Sequence, residues 1–206
     1  MSATTTPRVP ASLRRQQILK AATTLFAERG FYGTTTRQIA DKVGVKEIIL
    51  FRLFPNKRDL YWAVIEAKCA PRPEWNRLRE LLGMDLEEDE RFARIARGIL
   101  ERHLNDTTLT RLLLFSSLES HELTERFYRT YLAEFYDLLA GYIRRRIREK
   151  KFRRVDPLLA ARGFIGMVFY HILVQELFGG ARFTKFQIPK VADTITSVWL
   201  EGMLSR

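Results

Sequence analysis

The chain has 206 residues, 46 % of them hydrophobic and 29 % charged, with eleven glycines and seven prolines. That composition can bury a core, excludes a chain disordered or low in complexity as a whole, and at this length allows one domain or a small head on a larger body. Thirty-five Lys and Arg against 24 Asp and Glu leave +11, which implies a polyanionic partner such as nucleic acid or an anionic membrane surface. The one cysteine, Cys69, excludes an intramolecular disulfide and any multi-cysteine zinc or iron–sulfur site, and no metal or cofactor is expected.

Residues 1–12, MSATTTPRVPAS, are small, polar and broken by proline. They lack the apolar stretch of a secretory signal, so a flexible arm and a cytoplasmic setting are expected. Leu13, Gln17 or Ile18, Ala21, Leu25 and Phe26 recur at helical spacing, and Gly30 ends that helix. Thr35 with Gln38 three residues on forms a capping box that opens a second, short helix, which Gly44 stops. A third helix begins near Lys46 and ends at Phe54, because the residue before Pro55 disfavours helical dihedrals. Asn56 caps a fourth that runs to about Cys69. Pro71 and Pro73 mark a domain boundary at about 70. Beyond it the spacing predicts helices near 74–83, 86–104, 108–119, 122–151, 156–178 and 188–204, separated by Gly, Pro, Asn and Asp.

Charge is concentrated at one end. Residues 1–60 hold eleven basic and four acidic side chains, a net +7, leaving +4 for the remainder. Within that basic end, TTRQIADKVGVKEIILFRLF has the form of a helix-turn-helix. Ile39, Ala40 and Val43 point inward from the first helix, Gly44 makes the turn, Val45 enters the junction, and Leu50 and Phe54 form the buried stripe of the second helix. Such a unit delivers a short helix into the major groove.

These residues resemble the TetR family of transcriptional regulators from about Leu13 to Leu60. Leu25-Phe26-Ala27-Glu28-Arg29-Gly30-Phe31 matches its first helix, and Thr34-Thr35 with Arg37-x-Ile39-Ala40 its second. Val45 and the spacing Leu50-x-x-x-Phe54-x-x-Lys57-x-x-Leu60 match the end of its head. The rest of the chain matches only in length and helical character. The resemblance implies an all-α protein in three parts: an arm over 1–12, a three-helix DNA-binding head over 13–70, and a helical ligand-binding and dimerisation body over 71–206. Family members often carry Ser, Thr, Tyr and His where this chain has Lys46, Ile49, Phe51 and Leu53, and Lys46 can reach a phosphate but cannot cap.

The implied DNA contacts are Thr35, Arg37, Lys46, Glu47, Ile48, Phe51, Arg52 and Lys57. Arg37 and Arg52 face solvent by periodicity, and Lys57 opens a helix whose N–H groups also favour a phosphate. Glu47 suits a cytosine amino group and Ile48 a thymine methyl, or both stand clear of the bases; Phe51 packs on a sugar or completes the core. The run Arg144–Arg154 is the densest basic segment, read either as a solvated helix face or as a second polyanion contact.

Aromatic residues crowd the body. As a core stripe they need no ligand. Given the resemblance, Phe92, Ile99, His103, Phe115, Phe127, Tyr131 and Phe135 would line a pocket for a small apolar or aromatic effector. The segment 158–178 is long and apolar, yet Arg162, His171, Gln175 and Glu176 interrupt it, so a buried helix rather than a membrane span is expected. Apolar on more than one face, it pairs with the last helix as a dimer interface of Phe164, Ile165, Val168, Ile172, Ile195, Val198 and Trp199. The cluster Ser116, Ser117, Glu119, Ser120, His121 and Glu122 hints at a hydrolase, but no nucleophile or phosphate-loop motif accompanies it. The expectation is therefore a non-enzymatic, homodimeric regulator of a palindromic operator in double-stranded DNA, a ligand-responsive repressor. The alternatives are a ligand-independent or activating regulator, or a helical interaction protein that binds other polyanions.

Overall fold

The computed structural model describes residues 10–69, 73–119 and 121–204. Among them are eleven α-helices and no strand beyond a lone antiparallel bridge between Phe152 and Leu204, so the all-α reading of the spacing is the fold the chain adopts. Most of the arm expected over 1–12 lies outside the described residues, while Ala11 and Ser12 already begin the first helix. Packing divides the helices into two units. One takes the described residues up to 69 and within 108–124; the other takes 73–107 and 125–204.

The first unit is built from α1 (Ala11–Arg29), α2 (Thr36–Val43), α3 (Glu47–Leu53), α4 (Lys57–Cys69) and α7 (Thr108–Glu119). Thr35 and Gln38 form the capping box that opens α2, which satisfies two otherwise orphaned donors. Gly44 takes φ 71° and ψ 39°, a left-handed conformation that favours glycine. Lys46 gives α3 no side-chain cap. Phe54 is extended at φ −141° and ψ 110°, as its place before proline requires. Asn56 Oδ1 accepts the Asp59 N–H at 2.9 Å and so caps α4. Ile18, Phe26, Ile39, Leu50 and Leu60 are fully buried. Leu13, which starts the apolar spacing, is 46 % exposed, because it precedes the part of α1 that has neighbours to cover it.

The second unit comprises α5 (Pro73–Gly83), α6 (Glu88–Asn105), α9 (Ala133–Arg148), α10 (Pro157–Ile172) and α11 (Ile188–Glu201). The long helices expected over 122–151 and 156–178 are interrupted. A π turn over Tyr128–Leu132 separates α8 (His121–Phe127) from α9, and a second, Leu173–Leu177, follows α10. In the latter the Phe178 N–H reaches back to Leu173 O at 3.0 Å. A π turn closes i→i+5 bonds within a continuing helix and carries no Gly, Pro or cap signal here, so a search for helix ends does not register it. The end expected at 151 falls at 148, with Lys150 at φ 59° closing the helix. Phe92 lies at the centre of the core. Its ring stands 4.5 Å from Trp199, 5.0 Å from Phe164 and 6.2 Å from both Tyr142 and Phe152.

Candidate nucleic-acid interface and effector cavity

The helix-turn-helix leaves a defined set of side chains outside. Thr35, Arg37, Lys46, Ile48, Phe51 and Arg52 are exposed, although the Thr35 hydroxyl already accepts the Gln38 N–H. Ile48 at 56 % and Phe51 at 41 % are large apolar side chains in water on a seven-residue helix, so the reading of Phe51 as part of the core is corrected: α3 has only one inward stripe and Leu50 fills it. Arg37, Lys46 and Arg52 have no partner among the described residues.

Two expected contacts are held internally. Glu47 is half-buried and accepts the Thr36 hydroxyl through one carboxylate oxygen, which ties the start of α3 to the start of α2. Lys57 is half-buried, with its Nζ 4.2 Å above the Phe31 ring. Burial lowers its pKa, and the nearby Glu119 carboxylate opposes that shift.

Glu119 is the residue that the sequence did not single out for this role. It ends α7, and Oε2 accepts the N–H of Phe31 at 2.6 Å and of Tyr32 at 3.3 Å. A Cβ on Gly30 would stand 2.3 Å from Oε1, and Gly30 is also at φ 75°. Two further bonds fix α7: Arg111 Nε donates to Ala27 O at 2.7 Å, and the Tyr61 hydroxyl to Leu112 O at 2.6 Å. Burial, with Glu119 adding to it, raises the Tyr61 pKa and keeps it a donor. Ser116 shares a hydrogen bond with Thr124 and is 3 % exposed, while Ser120 lies outside the described residues.

In the second unit a cavity of about 380 Å³ opens between α5, α6 and α9. Its apolar wall is Leu78, Leu81, Ile95, Ile99 and Phe135, and its polar lining is Arg77, Arg94, Glu101 and Arg102. Of the expected pocket residues, only Ile99 and Phe135 line it. Phe127 and Tyr131 lie 5.4 Å apart with their rings tilted, and Trp75 links Tyr131 at 5.8 Å to Phe135 at 5.9 Å, so a chain of rings leads to the wall at Phe135. Phe92 is corrected to a core residue, since four aromatic rings enclose it. Phe115 is corrected as well: it belongs to the first unit, beside Arg111. His103 faces Phe169 at 6.4 Å, and burial first, then Arg102, depresses its pKa to about 4.

The expected dimer stripe is corrected in a similar way. Phe164, Val168 and Ile172 are fully buried within their own chain, and Ile195 and Trp199 nearly so. They cannot be presented to a second copy. The outward face carries Leu159, Tyr170 and Val198 at 66, 65 and 57 % exposure, with Ile165 half-buried. Gly163 and Gly166 have nothing within 4 Å of a Cβ position. Pro157–Leu177 is long and apolar enough to cross a membrane, and only 22 % of its most apolar stretch is buried.

Two family models match this chain: "Bacterial regulatory proteins, tetR family" over residues 18–64, and "AefR-like transcriptional repressor, C-terminal domain" over 90–202. The second alone covers more than half of the chain. The chain belongs to the TetR family. Members of this family are DNA-binding transcriptional regulators and not enzymes. A relative, the nucleoid occlusion factor SlmA of Haemophilus influenzae, is 30 % identical over 156 residues, 72 % of this chain and 68 % of that protein. The HTH-type transcriptional activator FasR of Mycolicibacterium smegmatis is 39 % identical over 59 residues, 29 % of this chain and 27 % of that protein. Among solved structures, the transcriptional regulator FadR from Bacillus subtilis in complex with stearoyl-CoA superposes with a TM-score of 0.71 at 18 % identity, covering 91 % of this chain and 98 % of that one. This last likeness establishes the TetR fold alone.

Two outcomes follow for this TetR chain. Glu119→Ala removes the acceptor of two backbone N–H groups and should destabilise the first unit by about 1–3 kcal/mol, read as faster amide exchange at Phe31 and Tyr32. His103 is protonated more readily unfolded than folded, so stability should be full above the ordinary value of 6.5 and fall as pH drops toward about 4. Urea unfolding against pH checks this: His103→Gln should flatten the fall.

Proposed function

We propose that the chain is a cytoplasmic, ligand-responsive repressor that binds a palindromic operator as a homodimer. The observation that carries this reading is the set of unpartnered cations Arg37, Lys46 and Arg52, exposed beside Ile48 and Phe51 on α2 and α3 of the helix-turn-helix. The cations suit phosphates and position the head, while Ile48, near the start of α3, suits a thymine methyl. Thr35 adds a phosphate contact near the start of α2, while Lys57, held on the Phe31 ring, contributes to the field that draws DNA. Glu47 contributes by holding α3 in place.

The second copy covers the outward face of α10 and α11. Gly163 and Gly166 let a partner's backbone come close, and Ile165, Tyr170 and Val198 supply apolar area. A buried pair of such faces accounts for the membrane-like apolarity of Pro157–Leu177 without a membrane. Two-fold symmetry supplies the second recognition helix.

The effector occupies the cavity lined by Ile99 and Phe135. Only Asp106 and Thr107 separate α6, which lines the cavity, from α7, which holds the turn at Phe31. An effector that favours one setting of α6 therefore biases the head through α7, to the extent that it binds the two settings unequally. That FadR, a neighbour in fold, was solved in complex with stearoyl-CoA supports a small-molecule effector for this chain.

Selection of bound duplexes from random DNA tests the reading. The expected product is a two-fold site with half-sites about 10 base pairs apart or further. Against that site, Arg52→Ala should lower the slope of log affinity on log salt by about 0.9. Recovery of no sequence at all would leave only a general polyanion binder. Gly166→Arg should convert the dimer to a monomer in sedimentation while circular dichroism stays unchanged; a dimer that persists rules this face out.

A further inference from the structure

The polar lining of the α5–α6–α9 cavity is cationic in excess, with Arg77, Arg94 and Arg102 against Glu101. These arginines are not equivalent. Arg94 pairs with Glu90, and Arg102 already interacts with other groups. Arg77 alone of the three has neither hydrogen bond nor ion pair among the described residues. Its guanidinium lies across α6 at Gly98, with Cζ and Nε 3.6 Å from where a Cβ would stand. At that distance an alanine would make ordinary contact, and alanine is the better helix former in mid-helix. Glycine there keeps the space under the guanidinium open instead.

We infer that the cavity takes an amphiphilic carboxylate, its apolar part against Ile95, Ile99 and Phe135 and its anionic end on Arg77. A free, planar guanidinium at the edge of an apolar wall matches one carboxylate through two parallel N–H bonds. A cavity of about 380 Å³, at about 30 Å³ per water-sized unit, holds an apolar part of roughly a dozen non-hydrogen atoms. The expectation of a small apolar or aromatic effector is thereby narrowed to an acid. This inference rests on the cavity being the effector site proposed above.

Titration calorimetry on the full chain with decanoate and 1-naphthylacetate tests it, with 1-decanol and decyltrimethylammonium as controls. At least one carboxylate should bind once per chain, about tenfold or more tighter than decanol. Arg77→Ala, at an exposed position that the fold does not need, should remove about that factor for the carboxylate and leave decanol unchanged. Ile99→Trp should block both. The inference is overturned if neither carboxylate binds, if decanol matches the carboxylate, or if Arg77→Ala leaves the carboxylate's affinity unchanged. A second titration uses a selected duplex. Carboxylate binding that depends on Arg77 but leaves duplex affinity constant keeps the site and rejects its effector role; decanoate binding in a chain that selects no duplex separates the two readings likewise.

Discussion

A carboxylate placed at the end of α1 governs the geometry of the DNA-binding head. The last turn of α1 runs into Gly30 at φ 75°, and the chain must then turn toward α2 with two backbone donors, at Phe31 and Tyr32, pointing away from any helix. Glu119 satisfies both from α7, and charge-assisted bonds of this kind are stronger than neutral ones. The consequences extend through Phe31. Its ring lies 6.2 Å from Phe26 and 5.5 Å from Tyr61, and it carries the Lys57 ammonium on its face. The start of α4, the turn after α1 and the end of α7 are thus one assembly, and α3 is suspended between α2 and α4 within it. Glycine at position 30 is required twice: for its dihedral and because a side chain would occupy the space of the carboxylate.

The body answers a different constraint, the allocation of a large apolar inventory between three uses. Rings at the centre, around Phe92 and Trp199, are enclosed by other rings and gain the full benefit of burial, about 25 cal/mol per Å². Rings at the α5–α6–α9 margin, such as Phe135, border space instead and leave contacts unmade. A third group, Leu159, Tyr170 and Val198, is left in water by the single chain. Cavity and exposed face are both departures from maximal burial. In a chain that can form so dense an aromatic centre, each departure is an argument for a ligand or a second copy at that place.

The head was legible in the sequence because its determinants are local. Thr35 reaches Gln38, Gly44 turns on itself, and Pro55 restricts Phe54, all within four residues. Glu119 was not legible: the amide it binds lies 88 residues away, and nothing in its own neighbourhood distinguishes it from a surface carboxylate. In the body, spacing identified which positions are apolar but not what they meet. Phe92 and Ile99 lie along the same helix, yet one is enclosed by rings and the other borders the cavity. On α10 the stripe of Phe164, Val168 and Ile172 is a true periodic signal, but it faces the chain's own core, and the outward side is the weaker pattern of Gly163, Gly166 and Tyr170. The π turns at Tyr128–Leu132 and Leu173–Leu177 carry neither glycine nor proline, so no local stop signal marks them.

Charge needs the same distinction between what is present and what is free. The first 60 residues carry +7, but Arg15 lies over Phe54, Lys57 over Phe31, and Arg58 pairs with Glu122. The basic run after Tyr142 divides likewise. Arg145 donates to Leu82 O, and Arg146 is held by Glu88 and Glu149. Arg144, Arg148, Lys150 and Lys151 are exposed without partners among the described residues. Cations that bind internally still contribute to the long-range field that draws DNA, but they cannot give their hydrogen bonds to a phosphate without breaking a contact. Steering therefore follows the sum of the charges, whereas register on the duplex follows the smaller set that the fold leaves unpaired. On the head that set is centred on Arg37, Lys46 and Arg52, beside the apolar side chains of α3, and this juxtaposition delimits the proposed recognition surface more narrowly than net charge does.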